Sequence, residues 1–441
     1  METDHFILRR IRPKLRPVFV VTAAVILQFS YGLLFTFGNL LPYFVSYLRW
    51  KVNPTQSPGS MIWLQSLMFG LPGSALAGGL VEKKIGARLG IVIGSTVYTG
   101  FLAISYFAIQ HSFPMLLISL GIFCTLGEEI SYICVLVMSQ KWLPNNVGLA
   151  GGLVTAGYAM GAFLVSPIQT KFINPKNLPA DKDGFFTQIE ILERVPKMFL
   201  LLAGIFAILQ IAAITFIGNP RTTESTQERN SVTLDKHMSK KKTAAISLKE
   251  VVFSSTFAFL FLTLFLNSVW VQTISGLYKA FGQTFIDNDF FLAVINSLAA
   301  ACNCSSRVIW GYLADRTSYK TTMSVPCALG AALMWSLIGI KIVANPLLYM
   351  LWVCLMYLCI GATYSLVPYA TYRCFGGNHF GIAYGLIQLS LPLSGIVTAL
   401  CSQFLLAIIH FEILFTIMAG TMFVSLLLTL SIRRTKYGKA I

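Results

Sequence analysis

An arginine lies inside a long apolar stretch of this sequence. Arg307 belongs to a run that begins near Phe290, and residues at intervals of four surround it: Asn303, Gly311 and Asp315. In a helix this spacing places all four on one slowly drifting face. A permanent charge in apolar surroundings is costly unless it faces a partner or water, so Arg307 marks a candidate functional site.

The chemistry of a guanidinium narrows what Arg307 would bind. Its planar fork matches a carboxylate through two parallel hydrogen bonds, so a small organic acid is the ligand that it favours. Two other roles also fit the sequence. Arg307 could extend toward the membrane surface from near the end of its span, or it could pair with Asp315 two turns away.

Two acidic residues stand together in another apolar run, within LGEEISY. Adjacent helix positions are about 100° apart, so at most one of Glu128 and Glu129 points squarely into a central space. Acidic residues inside membrane bundles often carry protons, which makes this pair the candidate for proton coupling. Pairing with Arg307 would instead keep a carboxylate ionised, so that substrate could compete for the arginine. A structural hydrogen bond is the third alternative.

Hydroxyl and amide side chains in the apolar runs could complete a binding pocket. Tyr31 shares a helix face with Phe35 and Asn39. Such groups could hydrogen-bond a substrate oxygen while aromatic rings enclose its short carbon chain, although each could equally serve packing alone. The candidates are Tyr31, Asn303, Tyr364, Tyr384 and Gln388, with Tyr132 one turn past Glu128.

The elements that must position these residues are membrane helices. The chain has 441 residues, of which 56% are hydrophobic and 11% charged, whereas a soluble protein has about 25% charged residues. A helical span needs about 20 apolar residues. The sequence predicts an all-α integral membrane protein with twelve spans, near residues 18–47, 60–80, 88–109, 113–140, 148–172, 197–218, 252–278, 290–312, 321–343, 346–372, 378–408 and 411–432.

One polar segment divides these spans into six and six. Residues 219–250 are polar, basic and nearly free of large apolar residues, as in a solvated linker. We therefore predict an N-terminal half over 1–218 and a C-terminal half over 251–441. Lys and Arg collect on the side that holds the linker and both chain ends, which predicts cytoplasmic termini. No address signal distinguishes the plasma membrane from an organelle membrane.

Composition and motifs argue against several other functions. The net charge of +16 follows from the predicted topology, and no nucleic-acid motif accompanies it. The nine cysteines are odd in number and lack metal-ligand spacing, so we expect neither a disulfide framework nor a metal site. The five histidines lie in tails, loops and span ends, and no H-E-x-x-H is present. We expect neither an enzyme nor a cofactor.

A short motif recurs at corresponding places in the two halves. GGLVEKKIGAR follows the second predicted span and WGYLADRTSYK follows the eighth, as expected for parallel halves. GYLADR resembles the cytoplasmic signature of the major facilitator superfamily, G-x-L-a-D-R-x-G-r-K, although Ser318 replaces its second glycine and Glu82 is one position off strict spacing. The resemblance implies that fold, alternating access, and a cytoplasmic gate formed here by Gly79, Glu82, Gly311, Asp315 and Arg316.

A longer stretch narrows the resemblance. SQKWLPNNVGLAGG resembles the branch of oxalate:formate antiporters and monocarboxylate transporters, in which K-W-F-P precedes a basic turn and a glycine-rich span. Asn145 and Asn146 stand where the arginine of that turn is usual. YGLLFTFGNLLPYF and the Asn303-x-x-x-Arg307 series also resemble this branch. The resemblance implies that Arg307 binds the substrate carboxylate.

The number of cations in the spans bears on the substrate. Dicarboxylate carriers of the resembled branch have a second cation in span eleven, whereas FGIAYGLIQLSLPLSG has none and Leu391 falls near that place. One cation implies one carboxylate, so the expected substrate is a monocarboxylate such as pyruvate, lactate or formate. It could move together with a proton, in exchange for another anion, or alone. The alternatives are a carrier of another small solute and a non-transporting receptor of the same fold.

Overall fold

A computed structural model of the chain describes residues 6–143, 147–181, 183–218, 253–375, 377–408 and 410–432. The predicted linker over 219–250 lies outside these residues. Within them, every regular element is helical and there is no strand. A bilayer imposes this choice, because helices satisfy each backbone polar group within one segment.

The first half contains eleven helices within the described residues. A 3-10 turn, Gly32–Thr36, separates α2 from α3, and a π-helical segment, Leu117–Phe123, leads into α8. The helices are α1 (Phe6–Arg10), α2 (Arg16–Ser30), α3 (Phe37–Lys51), α4 (Pro58–Met68), α5 (Ser74–Ile85), α6 (Ala87–His111), α7 (Phe113–Leu116), α8 (Cys124–Trp142), α9 (Val147–Ile173), α10 (Ile189–Leu192) and α11 (Arg194–Ile214).

The second half contains eight helices within the described residues. Side-chain caps begin several of them: the Asn288 side chain accepts from the backbone of Phe291 at 2.9 Å, and Ser318 accepts from Thr321 at 3.1 Å. The helices are α12 (Ser255–Gly282), α13 (Asp289–Arg316), α14 (Tyr319–Trp335), α15 (Leu337–Val343), α16 (Pro346–Phe375), α17 (Gly377–Gln388), α18 (Ser390–Ile408) and α19 (Phe411–Ser431).

Each of the twelve predicted spans coincides with one helix or with consecutive helices. In the described part of the chain, eight helical stretches are long and apolar enough to cross a membrane, or ten if each of two bent pairs is one span. The bends are 45° between α2 and α3 and 41° between α14 and α15. The other two predicted spans are the 27-residue α9 and the α4–α5 pair. The prediction of an all-α, multi-span membrane protein is confirmed.

The second predicted span is broken rather than continuous. α4 ends at Met68 and α5 begins at Ser74. Between them, Gly70 has φ +149° and Gly73 has φ +86°, conformations that favour glycine, and Pro72 has no amide hydrogen to continue a helix. The predicted span over 60–80 is therefore formed by two helices, and GLPG is the physical cause of the break.

The two halves meet mainly along three pairs of helices: α3 with α12, α4 with α18, and α9 with α13. The backbones approach closely in the first two pairs. A Cβ added at Gly38 would lie 2.1 Å from the carbonyl oxygen of Ser275, and one added at Gly59 would lie 2.2 Å from that of Ser402. Only glycine allows these contacts.

Hydrogen bonds join the halves around these close approaches. Trp63 Nε1 donates to Gln403 Oε1 at 2.5 Å, and Gln65 Nε2 donates to Ser275 Oγ at 2.8 Å. The loop 283–288, between α12 and α13, lies at this end of the interface. We call this end the 283–288 mouth. In the structure, hydrogen bonds join the two halves across it.

Candidate substrate site around Arg307

Arg307 lies within α13 between aromatic rings of the two halves. Its guanidinium carbon is 6.0 Å from the ring centre of Phe35 in the first half and 5.5 Å from that of Tyr364 in the second, distances suited to cation–π attraction. Its Nε donates to Asn303 Oδ1 at 3.3 Å. Among the side chains that the structure describes, which exclude that of Asp315, no carboxylate lies within ion-pair distance of Arg307.

Close packing of α13 against α16 sets the position of Arg307. A Cβ added at Gly361 would lie 1.8 Å from Ser306 Oγ and 2.8 Å from the carbonyl oxygen of Asn303. Gly361 therefore lets the two helices touch one residue before Arg307 and one turn before Tyr364. The predicted neighbours Arg307, Asn303 and Tyr364 are brought together.

Two buried polar atoms beside the guanidinium have no hydrogen bond in the described structure. They are the Nδ2 of Asn303 and the hydroxyl oxygen of Tyr364. The Tyr364 hydroxyl is near that of Ser268, yet neither makes a hydrogen bond of normal geometry. Unpaired polar groups are costly in a protein interior, so each of them would be stabilised by a polar ligand.

Tyr384 and Gln388 lie together on α17, and their side chains are within hydrogen-bonding reach of each other. Tyr384 is also within electrostatic range of Arg307 and of Glu129. Both side chains are half-buried. They can therefore form a polar wall of the site around Arg307.

Glu128 and Glu129 face different surroundings. The Tyr158 hydroxyl is within hydrogen-bonding reach of Glu128, whose other electrostatic neighbours include Tyr31 and Tyr98 of the first half. Both acids share Tyr132 and Tyr158 of the first half with Arg307, and Glu129 also shares Tyr384 of the second half with it. Both acids therefore lie near the Arg307 site, and Glu129 is the one with an electrostatic neighbour in the second half.

Tyr31 is not part of this group. Its side chain is fully buried in the first half, and its hydroxyl is hydrogen-bonded to Ser95 Oγ at 2.7 Å and to Ser131 Oγ at 2.8 Å. Both bonds join α2 and its 3-10 turn to α6 and α8. In this structure the Tyr31 hydroxyl therefore bridges helices within the first half, and its role as a substrate ligand stays a prediction.

The predicted gate residues lie at the opposite end from the 283–288 mouth. A Cβ added at Gly79 or Gly311 meets nothing within 4 Å, so neither glycine makes a close helix contact in this structure. Glu82 is paired with Lys141 at 2.9 Å within the first half. The Arg316 guanidinium lies 4.5 Å over the ring of Tyr312, and the side chain of Asp315 lies outside the described residues.

Sequence reasoning missed a second buried cation. Lys279 falls one residue beyond the predicted span 252–278, but α12 continues to Gly282 and the Lys279 side chain is fully buried, paired with Asp289. It also missed Tyr158, which packs edge-on against Phe35 at 5.3 Å beside the Arg307 site. A signal for the burial of Lys279 is its position directly after one apolar run and ten residues before Asp289, the acid that precedes the next run.

Comparisons with known proteins identify the family and the fold of the chain. A family model described as Major Facilitator Superfamily matches residues 19–389. Apicoplast pyruvate carrier 1 of Toxoplasma gondii is 24% identical, over 84% of this chain and 80% of its own length. The oxalate:formate antiporter of Oxalobacter formigenes is 23% identical, over 71% of this chain and 68% of its own. A solved D-xylose-proton symporter matches with a TM-score of 0.69 at 14% identity, covering 96% of this chain and 100% of that one.

These matches confirm the predicted resemblance to the oxalate:formate antiporter and monocarboxylate transporter branch. The fold, the multi-span architecture and the family model lead to one assignment. This chain belongs to the major facilitator superfamily of membrane transporters.

Proposed function

We propose that this protein carries small monocarboxylates of the pyruvate class across a membrane by alternating access, with Arg307 as the carboxylate ligand. The observation that carries the proposal is a guanidinium between the two halves with no described carboxylate in ion-pair range. A bound monocarboxylate would supply the missing counter-charge. Substrate and arginine together are neutral, which lowers the cost of moving the occupied site through its closed intermediate.

The surroundings of Arg307 support a small substrate with one charge. The rings of Phe35, Tyr158 and Tyr364 would enclose a short carbon chain, while Asn303 Nδ2 and the Tyr364 hydroxyl would hydrogen-bond its oxygens. The relatives support the same class, since they include two apicoplast pyruvate carriers and several monocarboxylate transporters.

The proposal includes an orientation and a division into halves. Residues 1–218 and 251–441 are the two rocking units, and residues 219–250 connect them. Both termini and this linker are cytoplasmic, because Lys and Arg are concentrated there. The 283–288 mouth then faces the opposite side of the membrane. The protein has no enzymatic activity in this proposal, and substrate leaves chemically unchanged.

Uptake into proteoliposomes tests the substrate class. We expect saturable uptake of radiolabelled pyruvate, lactate and formate, with oxalate at least about 10-fold slower, because its second carboxylate would be buried without a cation. Protein-free vesicles and an unlabelled-substrate competition are the controls. Uptake of none of these acids would contradict the proposal, and oxalate uptake as fast as pyruvate uptake would contradict the one-carboxylate argument.

We further propose that Glu129, rather than Glu128, carries a coupled proton. Replacing Glu129 with glutamine should reduce accumulation driven by an inward proton gradient by at least about 10-fold, because glutamine cannot bind and release a proton. Exchange of labelled for unlabelled pyruvate at equal pH should persist, since it needs no net proton movement. Accumulation and exchange would be measured in the same vesicles.

Glu128→Gln is the matched control, because it changes the adjacent acid, which lies near Tyr158. We expect this variant to keep its response to the proton gradient. A Glu129→Gln protein that still accumulates pyruvate with the gradient would exclude Glu129 as the carrier. If uptake by the wild-type protein does not respond to the proton gradient but is accelerated by internal anion, the mechanism is anion exchange rather than proton symport.

A further inference from the structure

The most deeply buried ion pair of the described residues is not at the Arg307 site. Lys279, near the end of α12, and Asp289, at the start of α13, place Nζ and Oδ1 2.6 Å apart. Their side chains are 0% and 1% exposed. Charges buried so completely are retained only when their remaining hydrogen-bonding capacity is satisfied.

The first half supplies those remaining hydrogen bonds. Asn174 Nδ2 donates to Asp289 Oδ2 at 2.9 Å, and the Tyr43 hydroxyl donates to the same oxygen. Lys279 Nζ donates to Asn39 Oδ1 at 3.0 Å and lies 4.3 Å over the ring of Tyr43. The charges therefore belong to one half and their neutral partners to the other.

Asn39 and Asn174 are in turn held in place by their own half. Thr170 Oγ1 donates to Asn39 Oδ1 at 3.2 Å, while Asn39 Nδ2 donates to the carbonyl oxygen of Ser166 at 3.2 Å. Asn174 Oδ1 accepts from the backbone of Leu178 at 2.8 Å. The donors and acceptors of the first half thus form a fixed socket for the charge pair.

We propose that Lys279 and Asp289, seated in the socket of Asn39, Tyr43 and Asn174, are the lock that holds the 283–288 mouth shut. The inference rests on alternating access, not on the identity of the substrate. Separating the halves keeps the ion pair together, since both members belong to the second half, but exposes it to water in place of the socket. Closing the mouth is favourable only while the pair remains balanced in charge.

An inter-half cross-link provides the test. Asn177 Nδ2 and Asn288 Oδ1, on the exposed rim of the same mouth, are 3.0 Å apart across the halves. A protein carrying Asn177→Cys and Asn288→Cys, with a protease site inserted between residues 219 and 250, would be oxidised with copper phenanthroline and then cleaved. Halves joined by a disulfide run as one band, so the rate of band formation reports how often the mouth is closed.

Asp289→Asn should slow this cross-linking by at least about 10-fold, because closing the mouth would then bury the Lys279 charge without a counter-ion. The double variant Lys279→Met with Asp289→Asn should restore at least half of the wild-type rate. Tyr43→Phe, which removes one bond across the interface and leaves the pair balanced, should slow it by about 2-fold to 5-fold. Glu190→Gln, which breaks the exposed pair with Lys176, is the control and should change nothing.

Cross-linking of Asp289→Asn at the wild-type rate would overturn the proposal. A loss that the double variant does not restore would also overturn it, because shape rather than unbalanced charge would then be responsible. The assay uses no substrate. A protein that shows the expected cross-linking but no monocarboxylate uptake would contradict only the proposed function. A protein that takes up monocarboxylates but does not show the expected cross-linking would contradict only this inference.

Discussion

Replacing Arg307 with lysine should reduce pyruvate uptake at least about 100-fold. Lysine keeps the charge but lacks the planar fork, and its shorter reach would not place its ammonium where Arg307 meets the rings of Phe35 and Tyr364. The measurement is initial uptake rate against substrate concentration in proteoliposomes. Loss of an interaction made with bound substrate should appear as a higher half-saturation constant, with or without a lower maximal rate.

Arg316→Lys is the matched control for this variant. Arg316 lies on the same helix but is exposed and contacts Tyr312 rather than the site, so its variant should stay within about 2-fold of wild type. Uptake of the Arg307→Lys protein equal to that of Arg316→Lys would remove Arg307 from the binding site and leave it a structural role beside Asn303.

Gly38→Ala should also reduce transport strongly, although the substitution lies away from Arg307. The added methyl group would meet the carbonyl oxygen of Ser275 at 2.1 Å and the ring of Tyr278 at 2.7 Å, across the interface between the halves. Backbone cannot yield to it, so the 283–288 mouth could not seal and the cycle would stop. We expect uptake at least about 10-fold lower, with normal amounts of protein in the membrane.

Gly79→Ala provides the contrast. A Cβ at Gly79 meets nothing within 4 Å, so this variant should keep uptake within about 2-fold of wild type, even though Gly79 belongs to the recurring motif. Normal uptake by Gly38→Ala would show that the close contact with Ser275 can relax. A loss in Gly79→Ala alone would indicate that the opposite end closes through this glycine in another conformation.

Much of the fold could be predicted because apolar composition and length are local properties. A run such as 87–111 has to form a helix in a bilayer, whatever surrounds it. Arg307 could be identified for the same reason, since one charge in an apolar run is visible without knowledge of its neighbours. The break after Met68 is a local property as well, because it arises from the glycines and the proline of GLPG.

The parts that could not be predicted depend on partners distant in sequence. The Tyr31 hydroxyl is engaged by Ser95 and Ser131, 64 and 100 residues away, and no pattern announces those partners. Lys279 stands at the end of its run, where a lysine usually faces water. Its burial arises only when α3 and the chain around Asn174 pack over it.

The concentration of hydrogen bonds at the 283–288 mouth has a kinetic consequence. Hydrogen bonds that hold the 283–288 mouth closed favour the conformation that is open at the other end of the protein. If that conformation is the more populated one, substrate that arrives at the 283–288 mouth finds a protein able to bind it only part of the time. Its apparent affinity from that side falls in proportion. In the absence of a driving gradient, the ratio of maximal rate to half-saturation constant must be equal in both directions. The carrier would therefore work as a low-affinity, high-capacity path from the sealed side and a high-affinity, low-capacity path from the other.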